Sequence, residues 1–114
     1  MIKHIVMWNI RGDTPDQKSQ GAQFLKSRFG GLIGKIPGLL LLEVGTDTSG
    51  VEHACDVVLY TEFESQQALD VCARHPAHER VKKDLAVLRT ARYQVDYAPS
   101  ADFASESENE RAAA

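Results

Sequence analysis

The chain's 114 residues leave room for one hydrophobic core and exclude a multi-domain design. Its 43% hydrophobic and 25% charged residues are those of a globular domain, which excludes collagen-like, coiled-coil and wholly disordered chains. The net charge of −3 arises in residues 98–114, where Asp102, Glu106, Glu108 and Glu110 stand against Arg111 alone; the rest balances and lacks a Lys/Arg cluster, so nucleic acid is not an expected partner.

Residues Ile2 to Arg11 contain no turn former and are apolar on both alternating sets, Ile2, Val6, Trp8 and Ile10 on one, Ile5 and Met7 on the other. This predicts a strand covered on both faces. Thr14-Pro15-Asp16-Gln17 then offers an N-cap, a proline at the first helical position and a Gln three residues after the cap. The helix that follows shows an apolar stripe of Ala22, Leu25, Phe29, Leu32, Ile33 and Ile36, ending at Gly34 to Gly38, where Pro37 cannot continue it. Gly30-Gly31 interrupts the stripe and predicts either close backbone packing or a bend.

Leu39 to Gly45 reads as a second strand, Thr46 to Gly50 as a loop, and Ala54 to Phe63 as a third strand, with Cys55, Val57, Leu59 and Phe63 opposite Val58 and Tyr60. Ser65 caps a short helix containing Ala68, Leu69 and Cys72, which His75-Pro76 interrupts. In the next helix His78, Val81, Leu85 and Leu88 share a stripe, which places His78 inward and in the first turn. A last strand spans Ala91 to Tyr97, with Tyr93, Val95 and Tyr97 on one face and Arg92, Gln94 and Asp96 on the other. Residues 98–114 have the acidic, Ser/Ala-rich composition of a flexible tail.

This order predicts an α+β fold, a ferredoxin-like (split βαβ) plait with a four-stranded antiparallel sheet and its helices on one side. Strand 1 and part of strand 3 are nonetheless apolar on both faces. The uncovered face therefore calls for a second copy of the sheet, an isologous homodimer.

Ile2-Lys3-His4-Ile5-Val6-Met7-Trp8, the Lys35-Ile36-Pro37-Gly38-Leu39 corner, Tyr60-Thr61-Glu62-Phe63-Glu64-Ser65 and His75-Pro76-Ala77-His78 resemble, in this order, the stress-responsive α/β-barrel (Dabb) family over residues 1–97. The resemblance implies a dimeric α+β barrel of two plaits packed face to face, associated with stress response. Among the family's members is a plant polyketide cyclase, a cofactor-free enzyme whose pocket histidines match His4 and His78. Its assisting tyrosine is matched by Cys72 and its strand 3 histidine by Val57, so half of that polar set is missing. In some relatives backbone carbonyls hold a cation, which would map to Ile33, Ile36 and Leu39.

His78 has a case of its own: the helix dipole and an inward position both favour the neutral imidazole that a general base needs, although a core histidine fixing the turn would look the same. His4 shares a face with Val6 and Trp8 and would orient a substrate in such a pocket. Trp8, Phe24 and Phe29 read as core, and Val6, Trp8, Phe29, Val57 and Cys72 as the lining of a modest apolar pocket suited to an apolar or aromatic ligand. His53, Cys55, Cys72, His75 and His78 show no CxxC or HExxH spacing, so neither a metal nor another cofactor is expected. No apolar run exceeds the four residues Leu39 to Leu42, against the ~20 that cross a bilayer, and Met1 to His4 lacks a leader pattern. A cytoplasmic chain with two reduced cysteines, away from membranes, is the expectation. The leading functional reading is a small dimeric stress-responsive α/β-barrel domain with a modest apolar pocket and no assigned reaction; the alternatives are a cofactor-independent cyclase or lyase on a polyketide-like or aromatic carbonyl compound, with His78 as base, and an assembly module with a filled interior.

Overall fold

A computed structural model, which describes residues 1–100, shows β1 (Ile2–Ile10), α1 (Pro15–Gly30), β2 (Leu39–Thr46), β3 (Val57–Phe63), α2 (Gln66–Ala73), α3 (Pro76–Leu88) and β4 (Arg89–Tyr97). The strands lie in the order β2-β3-β1-β4 and every pair is antiparallel, which is the expected ferredoxin-like α+β plait. β1 is interior. On the side that faces the helices, His4 lies between Thr61 of β3 and Asp96 of β4, and Trp8 between Val57 and Arg92. The alternate residues Ile5 and Met7 face away, flanked by Tyr60 and Val58 on β3 and by Val95 and Tyr93 on β4.

The helices begin where the capping chemistry puts them. Thr14 Oγ1 accepts from the Gln17 N–H at 3.2 Å while the Gln17 side chain returns to the Thr14 N–H, a complete capping box, and Ser65 Oγ caps α2 through the Ala68 N–H at 3.1 Å. Ala22, Leu25 and Phe29 of α1, Leu69 and Cys72 of α2, and Val81 and Leu85 of α3 are buried with Val6, Trp8, Leu59 and Phe63 of the sheet in one core. No helix among the described residues is long and apolar enough to cross a membrane. The acidic tail expected from Ala98 lies outside the described residues beyond Ser100.

Four local expectations need correction. α1 stops at Gly30 instead of bending: a Cβ on Gly30 would meet nothing within 4 Å, one on Gly31 would meet the Arg28 carbonyl of the preceding turn at 3.3 Å, and the chain continues as turns in which the Leu32 N–H bonds the Phe29 carbonyl and the Ile33 N–H that of Gly30. Two adjacent glycines remove the side chains that would hold another helical turn. Leu32 and Ile36 still reach the core, but Ile33, assigned to the same stripe, is 63% exposed. Phe24, expected in the core, is a surface ring on α1 with the Arg28 guanidinium 4.9 Å from its centroid. β3 begins at Val57 because residues 54–56 are spent on turn and bridging contacts, the Ala54 N–H to the Val51 carbonyl and the Asp56 N–H to that of Trp8.

Gly38, at the corner leading into β2, has φ +78°, and a Cβ there would meet the Ala68 Cβ at 2.6 Å. Backbone strain and a clash with α2 therefore coincide. Gly38→Ala is expected to lower the unfolding free energy by about 2 kcal/mol or more, and Gly34→Ala, at φ +81° in open space, by only about 1 kcal/mol, read from urea melts of the two variants.

Candidate functional site

Between the sheet and the helices lies a cavity of about 560 Å³. β1 contributes His4, Val6 and Trp8 to it because those residues alternate onto the helix-facing side. Phe29 from α1, Cys72 from α2 and His78 and Leu85 from α3 close it from above. Val6, Trp8, Phe29, Cys72 and Leu85 make an apolar part of the wall. The Trp8 indole, 3% exposed, stacks on Phe29 with centroids 5.5 Å apart and planes at 22°, and its Nε1–H has no hydrogen-bond partner.

One edge of the cavity is polar. β4 turns Arg92, Gln94 and Asp96 toward the helices, and they form a chain: Arg92 Nη2 donates to Gln94 Oε1 at 2.5 Å, Gln94 Nε2 donates to Asp96 Oδ2 at 2.9 Å, and Asp96 Oδ1 accepts from His4 Nδ1. That last bond places a proton on His4 Nδ1, since a carboxylate only accepts. Thr61 Oγ1 donates to the His4 carbonyl at 3.0 Å, and Phe63 packs against the imidazole in a T-shaped contact, so ring and backbone are both held.

His78 occupies the first turn of α3, lines the same cavity, and has a buried Nδ1 without a partner. Burial, reinforced by the Lys82 cation, holds its pKa below the ordinary 6.5; the Ala73 carbonyl, near the ring but outside regular hydrogen-bond geometry, opposes this. The turn after the helix break is fixed instead by His75, whose Nδ1 accepts the Ala77 N–H at 3.1 Å as the N-cap of α3. Burial likewise raises the pKa of the Cys72 thiol, only partly offset by Lys82, so it is a small apolar wall group and a poor nucleophile. Among the described residues, no three His, Cys, Asp or Glu side chains gather as metal ligands.

The cavity brings together five of the six residues singled out with His78: His4, Val6, Trp8, Phe29 and Cys72 line it, and Val57 does not. Val57 sits at the far end of β3 beside Trp8, 2% exposed in the core, and the β3 wall is made by Leu59, Thr61 and Phe63. The residues missed were Arg92, Gln94 and Asp96. Their alternation with Tyr93, Val95 and Tyr97 was legible, but the usual assignment of the polar set to solvent fails where the apolar set itself faces away from the helices.

The family model for the stress responsive A/B barrel domain matches residues 2–99. The chain belongs to this family. Solved structures similar to this Dabb domain include a dimeric protein of unknown function with a ferredoxin-like fold from Bacteroides fragilis, 30% identical, covering 86% of this chain and 95% of its own, at a TM-score of 0.75. A Dabb family protein from Mesorhizobium loti with a ferredoxin-like fold is 18% identical, covers 87% and 96%, and scores 0.71. A hydroxynitrile lyase from Passiflora edulis, 13% identical over 88% and 94% of the two chains, scores 0.72, a likeness of fold. No curated protein matches the sequence.

Because folding lowers the proton affinity of His78, the unfolded chain takes up this proton first as pH falls through 6.5; the stability contributed by the neutral ring is complete above that pH and declines below it. The His78 Cε1–H resonance should titrate with a midpoint below 6.5, and the fall in melting temperature from pH 7 to pH 5 should be smaller in His78→Phe than in the wild type.

Proposed function

We propose that this Dabb domain is a homodimeric binding domain that takes one small apolar or aromatic compound per chain between its sheet and helices, in the cytoplasm and in the stress setting of its family name. The cavity of about 560 Å³, with an apolar part around Val6, Trp8, Phe29 and Leu85 and a polar part that includes the inward side chains of β4, carries this reading. Such a volume left beside Val6, Trp8, Phe29 and Leu85 leaves apolar walls without packing partners, a loss that an apolar guest recovers. The two free cysteines, Cys72 buried and Cys55 half-buried, fit a reducing compartment.

Dimerisation is supported by the sheet face turned away from the helices. Tyr93, Val95 and Tyr97 of β4 are 57%, 50% and 42% exposed there, beside Met7, Ile5, Val58 and Tyr60. A contiguous apolar and aromatic sheet face of this kind suits a second copy of itself, and the Bacteroides fragilis relative is a dimeric protein. Lys3 lies 5.9 Å from the Tyr60 and Tyr97 ring centroids and would be covered with them.

Catalysis is the weaker reading. His78 meets the burial condition of a base, but its Nδ1 is sealed and has no partner to orient the ring. Proton transfer alone supplies ~10² to 10⁴-fold, and the larger electrostatic contribution needs donors aimed at a developing oxyanion. The protein is expected not to cyclise linear polyketide substrates, with wild type and His78→Ala giving the same product profile; turnover lost in the variant would reverse this reading.

Trp8 is the sole tryptophan, so its fluorescence reports on the cavity directly. Naphthalene-type compounds should quench or shift it saturably, and Cys72→Phe, which narrows the cavity, should weaken the response without dissociating the dimer. No saturable response from the wild type would count against the binding function. By sedimentation the wild type should be a dimer at micromolar concentration, and Met7→Asp a monomer or unfolded.

A further inference from the structure

The charges around the cavity are unequally committed. Asp96 is satisfied at both oxygens, Oδ1 by His4 and Oδ2 by Gln94, and Asp70 accepts from Gln66 Nε2 at 3.0 Å. The cations are not matched in this way. Arg92 donates to the neutral Gln94 amide, and no carboxylate among the described residues lies within ion-pair distance of it. Arg89 lines the same edge, and Lys82 is held only loosely, 3.4 Å from Glu79 Oε1 and 3.5 Å from the Ala73 carbonyl.

The position of Arg92 follows from the ladder: it is the cross-strand neighbour of Trp8 on the helix-facing side. A guanidinium presents its donors in a planar fork that matches a carboxylate, and one bond to Gln94 leaves most of that fork free. Partial burial and the neighbouring Arg89 both disfavour its charged form, with Asp96 opposing, so the cation lacks counter-charge where it stands.

We infer that Arg92 is a carboxylate-binding residue and that the ligand of this cavity is an aromatic carboxylate, its ring on the apolar wall and its carboxylate on the guanidinium. This rests on the cavity being a ligand site. A neutral guest would leave the cations of this edge as they are, whereas a monoanion supplies the missing partner through a charge-assisted hydrogen bond.

The test measures naphthoate and its neutral amide, naphthamide, against the full-length protein by calorimetry. The two share ring and shape and differ in charge. Wild type should bind naphthoate roughly tenfold more tightly than naphthamide or better, the ratio that one charge-assisted pair supplies. Arg92→Gln should bring naphthoate down to the affinity of the amide without moving the amide, and Arg92→Lys should recover part of the preference, with melting temperatures confirming that each variant is folded. Equal affinity of wild type for acid and amide would overturn the assignment of Arg92 while leaving the binding function in place. Failure of both compounds to bind folded wild type would overturn both.

Discussion

β1 must keep two faces from water at once, and the rest of the domain is arranged around that requirement. It is one of the two interior strands of the order β2-β3-β1-β4, with β3 and β4 on its edges, so its backbone groups are used in ladders on both sides. Val6, 1% exposed, and Trp8 require helices above them, and the βαββαβ connection delivers α1, α2 and α3 to that side alone. Ile5 and Met7 have the same requirement on the other side, where this chain has nothing more to offer.

The fold was legible because each device that sets it is local. A capping box at Thr14 and Gln17, a cap at Ser65, the His75-Pro76 break and the period-two pattern of β1 and β3 each act within a few residues, and their order determines the topology. Where a decision belonged to tertiary packing, local pattern misled. Ile33 matched the helical stripe but fell beyond the two glycines that end α1, and Phe24 lay close enough to the stripe to look buried yet found Arg28 as its cover. Of the site, the residues with distinctive chemistry or bulk, His4, Trp8, Phe29 and His78, were found from sequence. The β4 triad was not, because an Arg-x-Gln-x-Asp alternation looks the same on a solvated face as on a cavity wall.

The cavity and the open sheet face are two consequences of one strand. Along β4, odd positions place Tyr93, Val95 and Tyr97 outward and even positions place Arg92, Gln94 and Asp96 inward, so the same six-residue stretch of alternation furnishes the apolar surface that suits a second sheet and the polar edge of the cavity. The hydrogen-bond chain from Arg92 to His4 crosses from the edge strand to the interior one, fixing the orientation of side chains that would otherwise be free rotors.

The joints between elements are of very different kinds. α3 ends at Leu88 and β4 starts at Arg89 with no residue between them, and the Arg11 N–H donates to the Leu88 carbonyl at 2.6 Å, tying that joint to the chain just past β1. Residues 47–56, by contrast, form an exposed excursion closed on itself where Asp47 accepts from Ser49 Oγ and the Gly50 N–H, each at 2.8 Å. Length variation is therefore channelled: an inserted peptide, an affinity tag or a new pair of termini is absorbed at the Asp47 turn for little more than loop entropy. One residue added between Leu88 and Arg89 would shift β4 by a register and exchange its two faces.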